Sequence, residues 1–95
     1  MILEVARMQI TPGKVDEFLA ALPEGIEVLQ EAAGFLGIEI HRGIERPELV
    51  LLCLRWETLE NHTVDFREGP LFSRWRAVIS PYFAAAPEVE HFTIG

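Results

Sequence analysis

The chain has 95 residues, 49% of them hydrophobic and 24% charged, a balance that excludes a disordered polymer. That length predicts a single domain over residues 1–95, small enough for a partner chain to add usefully to its buried surface. A formal net charge of −7 argues against nucleic acid and anionic membrane surfaces as partners, because both are gripped by basic patches.

The N-terminal MILEVARM has neither a basic n-region nor a long apolar run, so no secretion signal is read there. ILEVARMQI alternates and is β-branched enough for a strand. Thr11-Pro12-Gly13 then supplies a turn. From Val15 the period changes to that of a helix. Val15, Phe18, Leu19, Leu22, Ile26, Leu29 and Ala33 fall on one stripe at roughly 100° per residue. Asp16, Glu17, Glu24, Glu27 and Glu31 lie opposite. The stripe keeps its phase across Pro23, which predicts a kink and not a break. Gly34 is expected to end the helix as a left-handed cap.

FLGIEIHRG and ELVLLCLRWE read as two strands joined by IERP. The longest apolar run, Leu49 to Leu54, has six residues and is too short to span a bilayer. Cys53, the only cysteine, permits no intrachain disulfide and is expected to be a buried, inert thiol. A soluble, cytoplasmic protein is expected. Thr58 is the predicted N-cap of a helix through Phe66. Gly69-Pro70 interrupts it, and a further helical stretch runs to about Ile79. VEHFTI supplies a last strand. The order β-α-β-β-α-β is that of an α+β, ferredoxin-like domain: a four-stranded antiparallel sheet with both helices on one face.

ELVLLCLRW is apolar on both faces, whereas a strand with one solvated face alternates. Two helices cover only one face of such a sheet, and no other residues remain to cover the second. A homodimer with sheets packed face to face is the expected solution.

ENHTVDFREGPLFSRWR concentrates polar and aromatic groups. His62 shares a helical face with Leu59 and Phe66, at the edge of the apolar stripe. It is either an edge histidine with local hydrogen bonds or a general base facing a pocket. Leu71, Phe72, Trp75, Val78 and Ile79 converge on the next stretch, flanked by Arg74 and Arg76. An aromatic between guanidinium groups can hold a planar or anionic ligand; equally, it can be a core tryptophan beside solvent-facing arginines. Arg74 is read the second way and Arg76 is left open. Glu39-Ile-His41, Glu60-Asn-His62 and Glu90-His91 have no spacing specific to a metal centre, and no phosphate loop or nucleophile elbow is present.

Trp56-Glu57-Thr58, Asn61-His62 and Gly69-Pro70-Leu71-Phe72, with ITPGKVDEFLAAL and AAGFLGIEI before them, resemble the signature of the antibiotic biosynthesis monooxygenase domain family. The likeness covers nearly the whole chain. It implies a dimeric α+β barrel that oxidises a small aromatic phenol or quinol with molecular oxygen, using no metal or flavin cofactor. In that scheme the deprotonated substrate supplies the electrons, and the protein supplies a base, aromatic walls and a group that steadies an oxyanion. His62 would be the base, with Trp75, Phe66 and Phe72 as walls and Asn61 beside the substrate. Arg76 would hold the anion, or Arg7 if its strand face looks into the pocket. Haem-cleaving relatives place Asn, Trp and His where Ala6, Asp65 and Arg76 stand here, so haem degradation is disfavoured. A ligand-binding or regulatory dimer on the same scaffold is the alternative.

Overall fold

Alternation in the first segment sets the inside and outside of the whole sheet. In the computed structural model, which describes residues 1–95, β1 spans Ile2–Gln9 and buries Glu4, Ala6 and Met8. Arg7 points the other way with Leu3 and Val5. α1 follows over Val15–Gln30, then β2 over Phe35–Arg42 and β3 over Leu49–Trp56. A π-helical segment spans Asn61–Phe66, α2 spans Leu71–Ile79, a 3-10 turn follows at Ser80–Tyr82, and β4 spans Glu88–Thr93.

The sheet order is β2-β3-β1-β4 with every neighbouring pair antiparallel, as the ferredoxin-like reading predicts. β1 and β3 are central, so their inward side chains face the helices across the full width of the layer. Val50, Leu52, Leu54 and Trp56 are buried there against Phe18, Leu22, Leu29, Trp75 and Ile79. The alternate β3 positions Leu49, Leu51 and Cys53 are only half-buried, on the face with no helix over it. Cys53 is thus placed on the outer face and not in the core. Burial and the nearby Glu39 carboxylate both push its thiol above the usual range, which disfavours the thiolate form.

α1 runs through Pro23 without interruption, as its unbroken apolar phase requires. It ends at Gln30, earlier than the stripe suggested, because Glu31 and Ala32 N–H turn back onto Val28 and Leu29 in a tightened last turn. Ala33 is consequently exposed. Gly34 does take the left-handed conformation, with φ of 78°. Leu59 is 38% exposed and does not join the inward face expected of it.

α1 and α2 cross closely at Gly25. A Cβ there would lie 2.7 Å from the Trp75 ring, so the missing side chain is what lets the buried indole seat on α1. Gly25→Ala is expected to destabilise the fold by about 1–3 kcal/mol through overpacking, read as a lowered urea midpoint. An unchanged midpoint would contradict this packing. No helix is long and apolar enough to cross a membrane.

Candidate functional site

His62 is positioned by a short, unusual piece of backbone. Thr58 caps the turn as predicted: its Oγ1 accepts the Asn61 N–H at 3.2 Å, and Asn61 Oδ1 accepts the Thr58 N–H at 3.1 Å. This is a capping box with Asn in the place of Glu. Asn61 Nδ2 also donates to Asp65 Oδ2 at 3.1 Å, and its side chain packs over Gly34, where a Cβ would collide with it. Past the cap the helix widens to π geometry, with Arg67 N–H bonding to the His62 carbonyl five residues back at 3.0 Å. The wider turn swings His62 and Phe66 inward together, and both are buried.

The His62 ring lies between Trp56 (centroids 5.2 Å apart, planes at 29°) and Phe66 (6.1 Å, 26°). Its two nitrogens turn to opposite partners. Nε2 is 3.3 Å from Glu4 Oε1, and Nδ1 is 2.7 Å from His91 Nε2. The same Glu4 oxygen accepts the Trp56 indole N–H at 3.0 Å. Strand register produces the cluster: Glu4 and His91 are Cα partners in the β1–β4 pair.

Burial dominates the titration of this group. It raises the Glu4 carboxyl from its ordinary 4.5 to about 7, against the opposing pull of the Trp56 N–H and the Arg67 guanidinium. Burial lowers His62 to about 4, with Arg67 and His91 adding to the effect. His91 is lowered too, by burial and then by Arg67. Near neutral pH both imidazoles are uncharged and Glu4 is poised between its two forms. A carboxyl held near pH 7 is suited to exchanging protons with a bound ligand.

A pocket of about 450 Å³ opens beside this cluster. Glu4 and His62 give it a polar end, and Phe72 and Trp75 line it with Met8, Ile79 and Val89. Arg67 and Arg76 also line it, each with its guanidinium 5.9 Å from the centre of the Phe72 ring. Neither arginine has a carboxylate partner, unlike Arg74, which pairs with Glu31 at 3.1 Å on the exposed side. No group of three metal-ligating side chains converges on one point. His41, on β2, is exposed and remote from the other two histidines' cluster.

Of the residues singled out in the sequence, His62, Trp75, Phe72 and Arg76 meet in this pocket. Phe66 stands behind it, stacked on His62 and edge-on to Phe72 at 5.8 Å. Asn61 spends its side chain on the cap and lies outside the lining. Arg7 lies on the opposite face of β1, beside Glu88, so the condition for its facing the pocket is not met. Glu4, Arg67 and His91 were not anticipated. An acid at an inward position of an alternating strand was a legible signal for Glu4; the pairing that brings His91 to it was not.

Pocket and sheet together define an α+β domain of the ferredoxin-like class with a ligand-sized cavity between the sheet's inner face and α2. The chain belongs to the antibiotic biosynthesis monooxygenase family, whose model matches residues 1–78. It is 30% identical over 92 residues to the uncharacterised protein YczJ of Bacillus subtilis, covering 97% of both chains. A solved Bordetella bronchiseptica structure assigned to antibiotic biosynthesis monooxygenase is 35% identical, with a TM-score of 0.95 over 99% of this chain and 96% of that one. The monooxygenase from the gene ActVA-Orf6 of Streptomyces coelicolor, solved with Nanaomycin D, shares the fold at a TM-score of 0.82 and 20% identity, covering 99% of this chain and 87% of that one.

Two outcomes follow from the site's geometry. Asn61→Ala removes the reciprocal cap and is expected to cost about 1–2 kcal/mol of stability in urea unfolding. The second concerns pH. Stability carried by the neutral Glu4 carboxyl is full below about pH 4.5 and lost as pH rises to about 7. His62 acts in the opposite sense, contributing above 6.5 and losing that contribution as pH falls to about 4. Glu4→Gln removes the first effect. The variant should therefore gain on the wild type by up to roughly 3 kcal/mol between about pH 5 and 8. A pH-independent difference would refute the buried, titrating carboxyl.

Proposed function

We propose that this protein is a monooxygenase that oxidises a small aromatic phenol or quinol with molecular oxygen, the substrate itself supplying the electrons and no metal or flavin taking part. The observation that carries the reading is the buried Glu4–His62 pair opening on a pocket with aromatic walls and two unpaired arginines. A phenol O–H gives its proton to this pair, and the phenolate becomes the electron donor. Arg76 and Arg67 offset the negative charge as it forms. Phe72 and Trp75 hold the ring flat. For a phenol with an open para C–H, a C–O bond to dioxygen forms and the O–O bond breaks. One oxygen becomes a quinone carbonyl and the other leaves as water, so phenol plus O₂ balances quinone plus H₂O.

The base in this scheme is the Glu4–His62 pair, whereas the sequence pointed to His62 alone. An imidazole with its pKa lowered to about 4 is a weak acceptor, while a carboxyl near 7 is well matched to neutral operation. Oxygen uptake with a panel of hydroquinones and naphthols should fall by about 10²–10⁴-fold in both Glu4→Gln and His62→Ala. Absence of uptake with any phenol, together with tight retention of one metabolite, would make the pocket a binding site and not an active site.

The working form is a homodimer with outer sheet faces in contact. Leu3, Val5, Leu49 and Leu51 form an apolar strip on that face in the central strands, and Phe92 on β4 extends it at 47% exposure. Removing such a strip from water contributes about 25 cal/mol per Å². Light scattering at micromolar concentration should give twice the chain mass, and a monomer would overturn the assembly.

A further inference from the structure

We infer that Glu4, His62 and His91 form a proton relay from the pocket to solvent on the β4 side, with His91 as its outer terminal. The inference rests on the reading of the pocket as the place where substrate is deprotonated. Its basis is geometric. Three ionisable groups on three different elements stand in line, at 3.3 Å and then 2.7 Å, with no other partner on the nitrogens involved. A neutral imidazole offers one donor and one acceptor, which is what a link in such a line needs.

Both ends are open. Glu4 Oε2 has no protein partner, yet no buried side-chain oxygen or nitrogen is left unsatisfied. That oxygen therefore has accessible surface, and Glu4 lines the pocket. The same reasoning applies to His91 Nδ1, which has no protein partner and is not an orphaned buried atom. His91 is half-buried and does not line the pocket, so its free nitrogen meets water elsewhere. The line thus joins two separate surfaces through a buried imidazole. A metal reading fails on the same geometry, because His62 directs its nitrogens to opposite sides and no common ligand point exists.

The outward stroke starts from neutral Glu4 with His62 protonated on Nδ1: a substrate proton adds to Glu4 Oε2 as the proton on Oε1 passes to His62 Nε2, His62 Nδ1 passes one to His91 Nε2, and His91 Nδ1 releases one to water. Each ring loses a proton at one nitrogen and gains one at the other. The return stroke, when the departing oxygen atom takes up a proton on its way to water, restores both tautomers. The charged group acting on the line is Arg67, after the π-helical segment, while Arg76 of α2 lines the pocket at its inner end. No second carboxylate opposes them in the pocket lining. Burial and the Arg67 guanidinium both disfavour a resident imidazolium, so the proton is passed along and not stored.

The test needs no substrate. In protein labelled with ¹⁵N-histidine, long-range NMR couplings report which ring nitrogen carries the proton. Below the Glu4 transition His62 should be protonated on Nδ1, and above it on Nε2, with His91 changing in step. Glu4→Gln should abolish the switch. His91→Gln keeps a hydrogen-bonding group against His62 Nδ1 but passes no proton along; it should slow solvent exchange of the His62 ring proton at least tenfold. If that variant does not fold, His91→Phe serves for the same measurement. A single His62 tautomer between pH 5.5 and 8.5, or exchange unchanged by the His91 substitution, overturns the relay. Oxygen uptake by a protein lacking the switch would leave the monooxygenase reading standing without the relay. The switch in a protein that oxidises no phenol would support the relay and remove that reading.

Discussion

Glu4 must find hydrogen bonds inside a layer otherwise filled by Ala6, Met8, Leu52 and Leu54, because a polar group buried there without partners costs roughly 2–7 kcal/mol. Its register partners are Leu54 on one side and His91 on the other, so directly across the ladder only β4 places a polar residue. The hydrogen bond comes from the end of β3, where the Trp56 indole N–H donates to Oε1, and the π-helical segment brings His62 Nε2 to 3.3 Å from the same oxygen. The helix that carries His62 is therefore held to the sheet by a polar contact as well as by packing.

That requirement explains the local backbone. Regular α geometry would place His62 and Phe66 one turn apart on a narrower cylinder. The widened turn keeps both rings inward, stacked with Trp56, while Asn61 and Thr58 hold its start. Gly34 admits the Asn61 side chain, and its carbonyl accepts the Glu57 N–H at 2.8 Å just before the cap. Asn61 thus serves the site by fixing His62's backbone, without touching the pocket. Being next to His62 in the chain does not by itself bring a side chain into the pocket.

The arginines separate according to whether an acid stands within reach. Arg74 meets Glu31, and Arg42 meets Asp16 at 3.3 Å. Arg67 and Arg76 face Phe72 and the cavity with no acid to neutralise them. In a chain of net charge −7, these two guanidinium groups are a local concentration of positive charge, the field that favours an anion over a cation there. The Arg67 charge joins the Trp56 N–H in holding Glu4 down and adds to burial in keeping both imidazoles neutral.

Most of the fold was legible in the sequence. Period-2 and period-3.6 patterns depend on neighbours a few residues apart, so the order of elements along the chain, the path of α1 through Pro23 and the Thr58 cap could all be read locally. The two-sided apolar character of β3 was read the same way, and its half-buried outer residues are where that pattern put them. The site was half legible: His62, Trp75, Phe72 and Arg76 lie within one stretch of chain and share its helical phase. Tertiary structure alone decided the rest. Glu4, His62 and His91 are brought together by strand register and by a turn whose width depends on packing against the sheet. No local period encodes either one, because hydrogen bonding between elements distant in sequence fixes both.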